Sequence, residues 1–213
     1  FSYAKAYRIY IENGTYTYDN SLARLGLQDN CEYIGLGDVY INFTDETQRL
    51  IHTVNKSGFS LKNIKTNGNT ESMETSLGGG YWRFENCSDF EIDNWEVSKH
   101  GFDGIKCEGC SQFKITNGVG KWGKSSAINC TACTDFSVTG NTLSKQGRNS
   151  VDDSYADLPT GWTGTQVGRG ITVSTGCVDF KILNNKCELN SEYGIRIFQQ
   201  GLITPCQRGS IES

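Results

Sequence analysis

The chain has 213 residues, 25 of them Gly, two Pro and nine Cys, with 21% charged residues and a formal charge of −4. That length buries a core without staples, and dispersed Lys and Arg exclude the basic stripe of a duplex nucleic-acid binder. The apolar content exceeds that of a disordered chain, the glycines lack the collagen period, and no apolar run reaches the length of a membrane helix.

In chain order, Phe1–Tyr7 reads as the end of a short helical cap, followed at once by a strand over Arg8–Ile11. There is no initial Met and no visible secretion leader, so the chain is expected to be a piece of a longer or processed protein. A repeat then dominates. Cys87-Ser-Asp-Phe-Glu-Ile92, Cys110-Ser-Gln-Phe-Lys-Ile115, Cys133-Thr-Asp-Phe-Ser-Val138 and Cys177-Val-Asp-Phe-Lys-Ile182 share one template. Cys31–Leu36 and Lys56–Leu61 are weaker copies. Cys87, Cys110 and Cys133 are spaced by 23, and Cys177 follows after 44, one repeat plus an insertion over about residues 147–168.

Seven residues after each anchor stands Asn63, Asn94, Asn117, Gly140 or Asn184. These types tolerate left-handed backbone, so one tight turn per repeat is expected. Before the anchors, Tyr81–Phe84, Gly104–Cys107, Ala127–Cys130, Gly170–Val173 and Gly194–Ile197 alternate with period two, the pattern of half-buried strands. No helical pattern intervenes. Three short strands in about 23 residues fit one coil of a single-stranded parallel β-helix, each coil pairing only with its neighbours. Like residues then stack at about the strand separation of 4.8 Å. The predicted fold class is all-β: a β-helix over residues 1–200, then an irregular tail or the start of a further coil over 201–213.

These repeats, with Ile9-Tyr-Ile-Glu-Asn-Gly-Thr-Tyr16 and Leu25–Leu36, resemble the right-handed parallel β-helix superfamily. That group includes pectate lyases, polysaccharide-degrading phage tailspikes and related epimerases. The resemblance covers roughly residues 8–200 and implies right-handed coils. It also implies a substrate groove on the strand after the longest turn, and often a trimer.

Most of the nine Cys fall at repeated inward positions: Cys31, Cys87, Cys110, Cys133 and Cys177 in one column, Cys107 and Cys130 in another. They read as buried, reduced thiols packing as small hydrophobes. The Cys-x-x-Cys pairs have zinc-site spacing, but the coil repeat accounts for them. Reduced thiols suit folding in a bacterial cytoplasm.

If Ile105 and Cys107 point inward, Lys106 and Glu108 point out. Stacking then gives one outward column of His52, Arg83, Lys106, Asn129, Thr172 and Arg196, and a second of Val54, Glu85, Glu108, Thr131, Ser174 and Phe198. Arg83, Glu85, Lys106 and Glu108 form a mixed-charge patch. It is either a set of cross-strand ion pairs or a groove floor for an acidic sugar. The insertion carries Asp152, Asp153, Asp157, Tyr155 and Trp162. It is either a solvated loop or a supplier of the paired carboxylates that glycosidases need.

The candidate catalytic residues are Asp103, Glu108, Asp152 and Asp153. The candidate substrate contacts are Arg83, Glu85, Lys106, Tyr155, Trp162, Arg169 and Arg196. His100 lies in a string, His100-Gly-Phe-Asp-Gly104, that resembles Tyr-Gly-Phe-Asp-Pro-His of alginate epimerases without its Pro-His. It reads as a turn residue or a catalytic one. No metal or cofactor is expected; an acidic cluster could bind Ca²⁺, but no repeated Asp-x-Asp spacing supports such a site.

The implied function is a phage tailspike domain that binds and cleaves a bacterial surface polysaccharide. It would fold in the bacterial cytoplasm, reside in the virion tail and form a homotrimer. The alternatives are a non-catalytic spike or adhesin, and a secreted bacterial lyase or C5-epimerase.

Overall fold

The computed structural model describes residues 7–18, 25–43, 49–68, 81–147, 167–199 and 205–212. Alternating short segments make nineteen strands there and no helix. The chain opens with β1 (Tyr7–Ile11), β2 (Gly14–Tyr18), β3 (Cys31–Phe43), β4 (Ile51–Val54) and β5 (Ser60–Asn67). The next coil has β6 (Trp82–Glu85), β7 (Ser88–Asp93) and β8 (Glu96–His100). It is followed by β9 (Ile105–Glu108), β10 (Ser111–Thr116) and β11 (Val119–Gly123). Then come β12 (Ser126–Thr131), β13 (Thr134–Thr139), β14 (Thr142–Ser144), β15 (Arg169–Ser174), β16 (Val178–Leu183) and β17 (Lys186–Glu188). The last are β18 (Tyr193–Phe198) and β19 (Gln207–Glu212), the latter pairing in register with β16.

Every pairing between these strands is parallel. β4, β6, β9, β12, β15 and β18 form a six-stranded sheet, and the other strands a thirteen-stranded one. The larger sheet fans from β5, whose first half pairs with β7 and whose second half pairs with β8. Partners in the central coils are 23 residues apart, as in Phe90↔Phe113, Phe113↔Phe136 and Lys106↔Asn129.

The register turns the repeat into packed columns. Phe59, Phe90, Phe113 and Phe136 stack nearly face on, with centroids 4.8–4.9 Å apart and planes within 8°. Phe180 follows at 5.6 Å. The column stops at Gly209, the partner of Phe180, where a Cβ would fall 2.0 Å from the ring. Leu61, Ile92, Ile115, Val138 and Ile182 form a second buried column. Each such side chain contributes about 1.5–3 kcal/mol by leaving water.

All nine Cys are free thiols, and seven are buried. The anchor thiols also bond: Cys110 to Phe84 O, Cys133 to Cys107 O and Cys177 to Cys130 O, each at 3.4 Å. Each therefore ties its corner to the preceding coil. Burial raises the pKa of Cys107 and Cys133, which keeps those thiols neutral.

The corners are more numerous than the Asn spacing suggests. Left-handed residues recur in four columns, not one: Asn86, Gly109 and Ala132; Asp89, Gln112, Asp135 and Asp179; Asn94, Asn117, Gly140 and Asn184; Lys99, Trp122, Lys145 and Leu189. Side-chain amides, one buried and one half-buried, satisfy the corner backbone. Asn141 Nδ2 donates to Ile115 O and Thr139 O, and Asn185 repeats this one coil on, to Val138 O and Leu183 O. The cap expected before the first strand falls on residues 1–6, outside the described residues, and Tyr7 already belongs to β1. Residues 148–166 of the insertion also lie outside them.

Candidate functional site on the outer face of the second sheet

In β9 the apolar side chains turn inward, so Ile105 and Cys107 are buried while Lys106 and Glu108 face out. Pairing carries this alternation across the sheet. His52↔Arg83, Arg83↔Lys106, Lys106↔Asn129, Asn129↔Thr172 and Thr172↔Arg196 form one outward column. Val54↔Glu85, Glu85↔Glu108, Glu108↔Thr131, Thr131↔Ser174 and Ser174↔Phe198 form the next.

Arg83 joins two neighbouring carboxylates. Its Nε lies 2.6 Å from Glu85 Oε1, and its Nη2 lies 2.9 Å from Glu108 Oε2. Lys106 Nζ reaches Glu108 Oε2 at 3.5 Å. His52 Nε2 donates to Glu85 Oε1 at 2.7 Å, and Arg49 stands 3.9 Å from the same oxygen. Burial pushes the Glu85 pKa up, but the His52 hydrogen bond and the charges of Arg83, His52 and Arg49 outweigh it, so the carboxyl sits below its usual value. The side chains of Arg83 and Lys106 are 13% and 16% exposed, whereas that of Glu108 is 43% exposed. Glu108 is therefore the carboxylate of this patch that offers most surface to a ligand.

Asp103 precedes β9 and is fully buried. Ser126 N donates to its Oδ1 at 3.1 Å, and Asn129 Nδ2 to its Oδ2 at 2.9 Å. Burial pushes its pKa above the usual aspartate value, against the hydrogen bonds from Asn129, Ser126 and Ser125. With no exposed surface, Asp103 reaches the outer face only through Asn129. The structure thus places this candidate beneath the face rather than on it.

The far end of the face is different. Thr172 and Ser174 are buried although they stand in the outward columns. Their hydroxyls bond Ser126 Oγ at 2.8 Å and Thr131 Oγ1 at 3.1 Å. Arg169 Nε pairs with Glu192 at 2.5 Å, and Arg196 Nη1 with the other oxygen of Glu192 at 3.3 Å. Arg196 also lies 4.3 Å over the Phe198 ring, a cation–π contact. Thus Arg83, Glu85, Lys106 and Glu108 come together at one end, and Arg169 and Arg196 gather three coils away. Asp152, Asp153, Tyr155, Asp157 and Trp162 lie outside the described residues.

His100 closes β8 fully buried. Its Nδ1 donates to Phe102 O at 3.1 Å, and burial pushes its pKa down to about 4. It sits inside the corner rather than on the face. Among the described residues, no group of three or more His, Cys, Asp or Glu is arranged to hold a metal ion. His52 and Arg49 are the patch members that reasoning on residue types did not single out. His52 stands at the head of the outward column, so its position was readable; its bond to Glu85 was not.

No protein-family model and no curated protein matches the chain. Solved structures do. Pre-mature bacteriophage phi29 gene product 12 is similar at TM-score 0.75 and 15% identity, over 96% of this chain and 28% of that one. The fold is a parallel β-helix. A Parabacteroides merdae ATCC 43184 protein, provisionally described as a glycosyl hydrolase, is similar at TM-score 0.54 and 11% identity, covering 80% of this chain and 81% of that one. Tailspike protein 2 of Escherichia coli O157:H7 bacteriophage CAB120 is matched at TM-score 0.46 and 11% identity, over 83% of this chain and 27% of that one. The chain thus spans little more than a quarter of either phage protein.

Proposed function

We propose that this right-handed β-helix is a domain of a phage tail protein that binds and cleaves a bacterial surface polysaccharide. The observation that supports it most is the in-register patch of Arg83, Lys106, Glu85 and Glu108 on one outer face. Regular coils make that face a rigid platform, so ligand groups meet preset charges at little ordering cost. Arg83 and Lys106 hold an acidic or hydroxyl-rich sugar. Glu108, the more exposed carboxylate, moves the proton during cleavage. Glu85, held by His52, Arg83 and Arg49, keeps Arg83 aimed at Glu108. Asp103 positions Asn129 beside Lys106. Asp152 or Asp153 supplies the second carboxylate if the reaction is hydrolysis, and Tyr155 and Trp162 stack on sugar faces. The protein assembles as a trimer on the virion tail.

Capsule and lipopolysaccharide preparations incubated with the chain report this directly. New reducing ends identify a hydrolase, and ultraviolet absorbance of an unsaturated uronate identifies a lyase. Glu108→Gln is expected to reduce either signal at least tenfold while leaving the melting temperature unchanged. Polymer bound but never cut defeats the enzymatic half of the proposal.

A second reading has its own support. Arg83, Lys106, Arg169 and Arg196 all have carboxylate partners, as in a cross-strand ladder that only stiffens the sheet. On that reading the face is a glycan-binding spike without chemistry.

A further inference from the structure

The outer face of the larger sheet carries a second feature, remote in the coil from the patch above. Asp89, Gln112, Asp135 and Asp179 are all left-handed, with φ between 50° and 54°. Each is the second residue of its strand, β7, β10, β13 or β16. Pairing aligns them, since Ser88↔Ser111, Ser111↔Thr134 and Thr134↔Val178 are register partners. The strands therefore bend at the same point, and a hollow of about 510 Å³ runs over them. That volume lies within the roughly 300–1,000 Å³ of small-molecule sites. The rings of Phe113 and Phe136 are turned into the core, so the floor of the hollow is backbone.

The chemistry of its walls is specific. One wall presents the carboxylate acceptors of Asp89 and Asp135 with the amide of Gln112, which both donates and accepts, between them. The other presents Lys114, Ser137 and Lys181, which are register neighbours and face outward. Asp179 is answered by Arg208, with Nη2 2.7 Å from Oδ2. Two carboxylates and two ammonium groups are left, so the hollow has no formal charge excess. Acceptor and donor columns run side by side along the coil axis, repeating at about the 4.8 Å strand separation.

We propose that this hollow binds a neutral, linear, hydroxyl-rich chain, an uncharged glycan, lying along the coil axis. Hydroxyls offer both donors and acceptors, which match the two walls. A polyanion would face Asp89 and Asp135. An apolar ligand would strand the same groups without partners. Because the bends are in the backbone, the site exists before the ligand arrives. It would hold a polymer independently of whether the other face cuts one, and two weak faces on one polymer gain from effective concentration.

The test is a nuclear magnetic resonance titration of the intact 213-residue chain with cellohexaose, maltohexaose and, as a charged control, hexagalacturonate. The proposal expects a neutral hexasaccharide to shift the amides of Gln112, Lys114 and Ser137. The monosaccharide should bind at least tenfold more weakly. The triple variant Lys114→Ala, Asp135→Asn, Lys181→Ala should lose at least tenfold in affinity. Asn tolerates the left-handed backbone, and unchanged shifts elsewhere establish that this variant is folded. Silence of these amides with both neutral chains overturns the proposal. So does equal binding by the triple variant, or preference for hexagalacturonate.

Discussion

Replacing Phe113 by Ala tests whether the stacked rings hold the coils together. The ring is 2% exposed and lies 4.8 Å from Phe90 and 4.9 Å from Phe136, with interplanar angles of 2° and 3°. A buried Phe→Ala change costs about 3–5 kcal/mol through lost transfer energy and the cavity left behind. Phe180 is as buried but has one ring neighbour, Phe136 at 5.6 Å and 20°, and meets Gly209 on its other side. A stacked pair is worth about 0.5–1.5 kcal/mol beyond its area. Phe113→Ala is therefore expected to cost more than Phe180→Ala by about that amount. Coils meet only their neighbours, so the middle of the stack has two interfaces to lose. Urea unfolding followed by circular dichroism measures both costs, with an unchanged m-value as the check that the transitions compare. Equal costs, or a Phe113→Ala cost under about 2 kcal/mol, below the range seen for buried Phe, would refute the stacking argument.

Two further expectations follow from buried groups. Ellman's reagent should react with the folded protein at Cys187 and Cys206 alone, the two partly exposed thiols, and with all nine in denaturant; rapid native reaction of a third thiol contradicts the packed column. Asp103 has a folded pKa raised by burial, so the unfolded state releases its proton first. Its contribution to stability falls as pH rises from the usual aspartate value through the folded one, then levels off. Urea melts of the wild type and Asp103→Asn across that range should show the wild type losing ground to the variant with rising pH. A difference independent of pH would show that Asp103 carries no such penalty.

Much of the architecture was readable because the coil repeat writes itself in the residues that pack. Phe90, Phe113 and Phe136 can stack only if their coils are in register, and the same register carries Arg83, Lys106 and Asn129 into one outward column. The other corners were not readable. Lys99, Trp122, Lys145 and Leu189 have no turn preference, and only stacking holds them left-handed. Lys145 Nζ over the Trp122 ring, at 4.3 Å, is one such contact. The bond between His52 and Glu85 was hidden for another reason. Side-chain reach across coils depends on rotamers, and the partners are 33 residues apart. Asp103 looked like a residue on the strand's rim. Its burial comes from Asn129 and Ser126 of the next coil, which period-two alternation within one strand does not describe.

The left-handed columns have a consequence for how the chain assembles. A finished coil is a mould for the next, and the mould proof-reads. A slip of one residue would turn a strand's apolar side chains toward water. It would also move Phe90, Phe113 or Phe136 into the left-handed position now held by Asp89, Gln112 or Asp135. That placement costs roughly 1–2 kcal/mol per residue. Coils laid down out of phase are thus penalised twice, at the bend and in the core. Length can vary by whole coils or by excursions between strands, whereas a single-residue insertion within a strand would have to be absorbed at a corner.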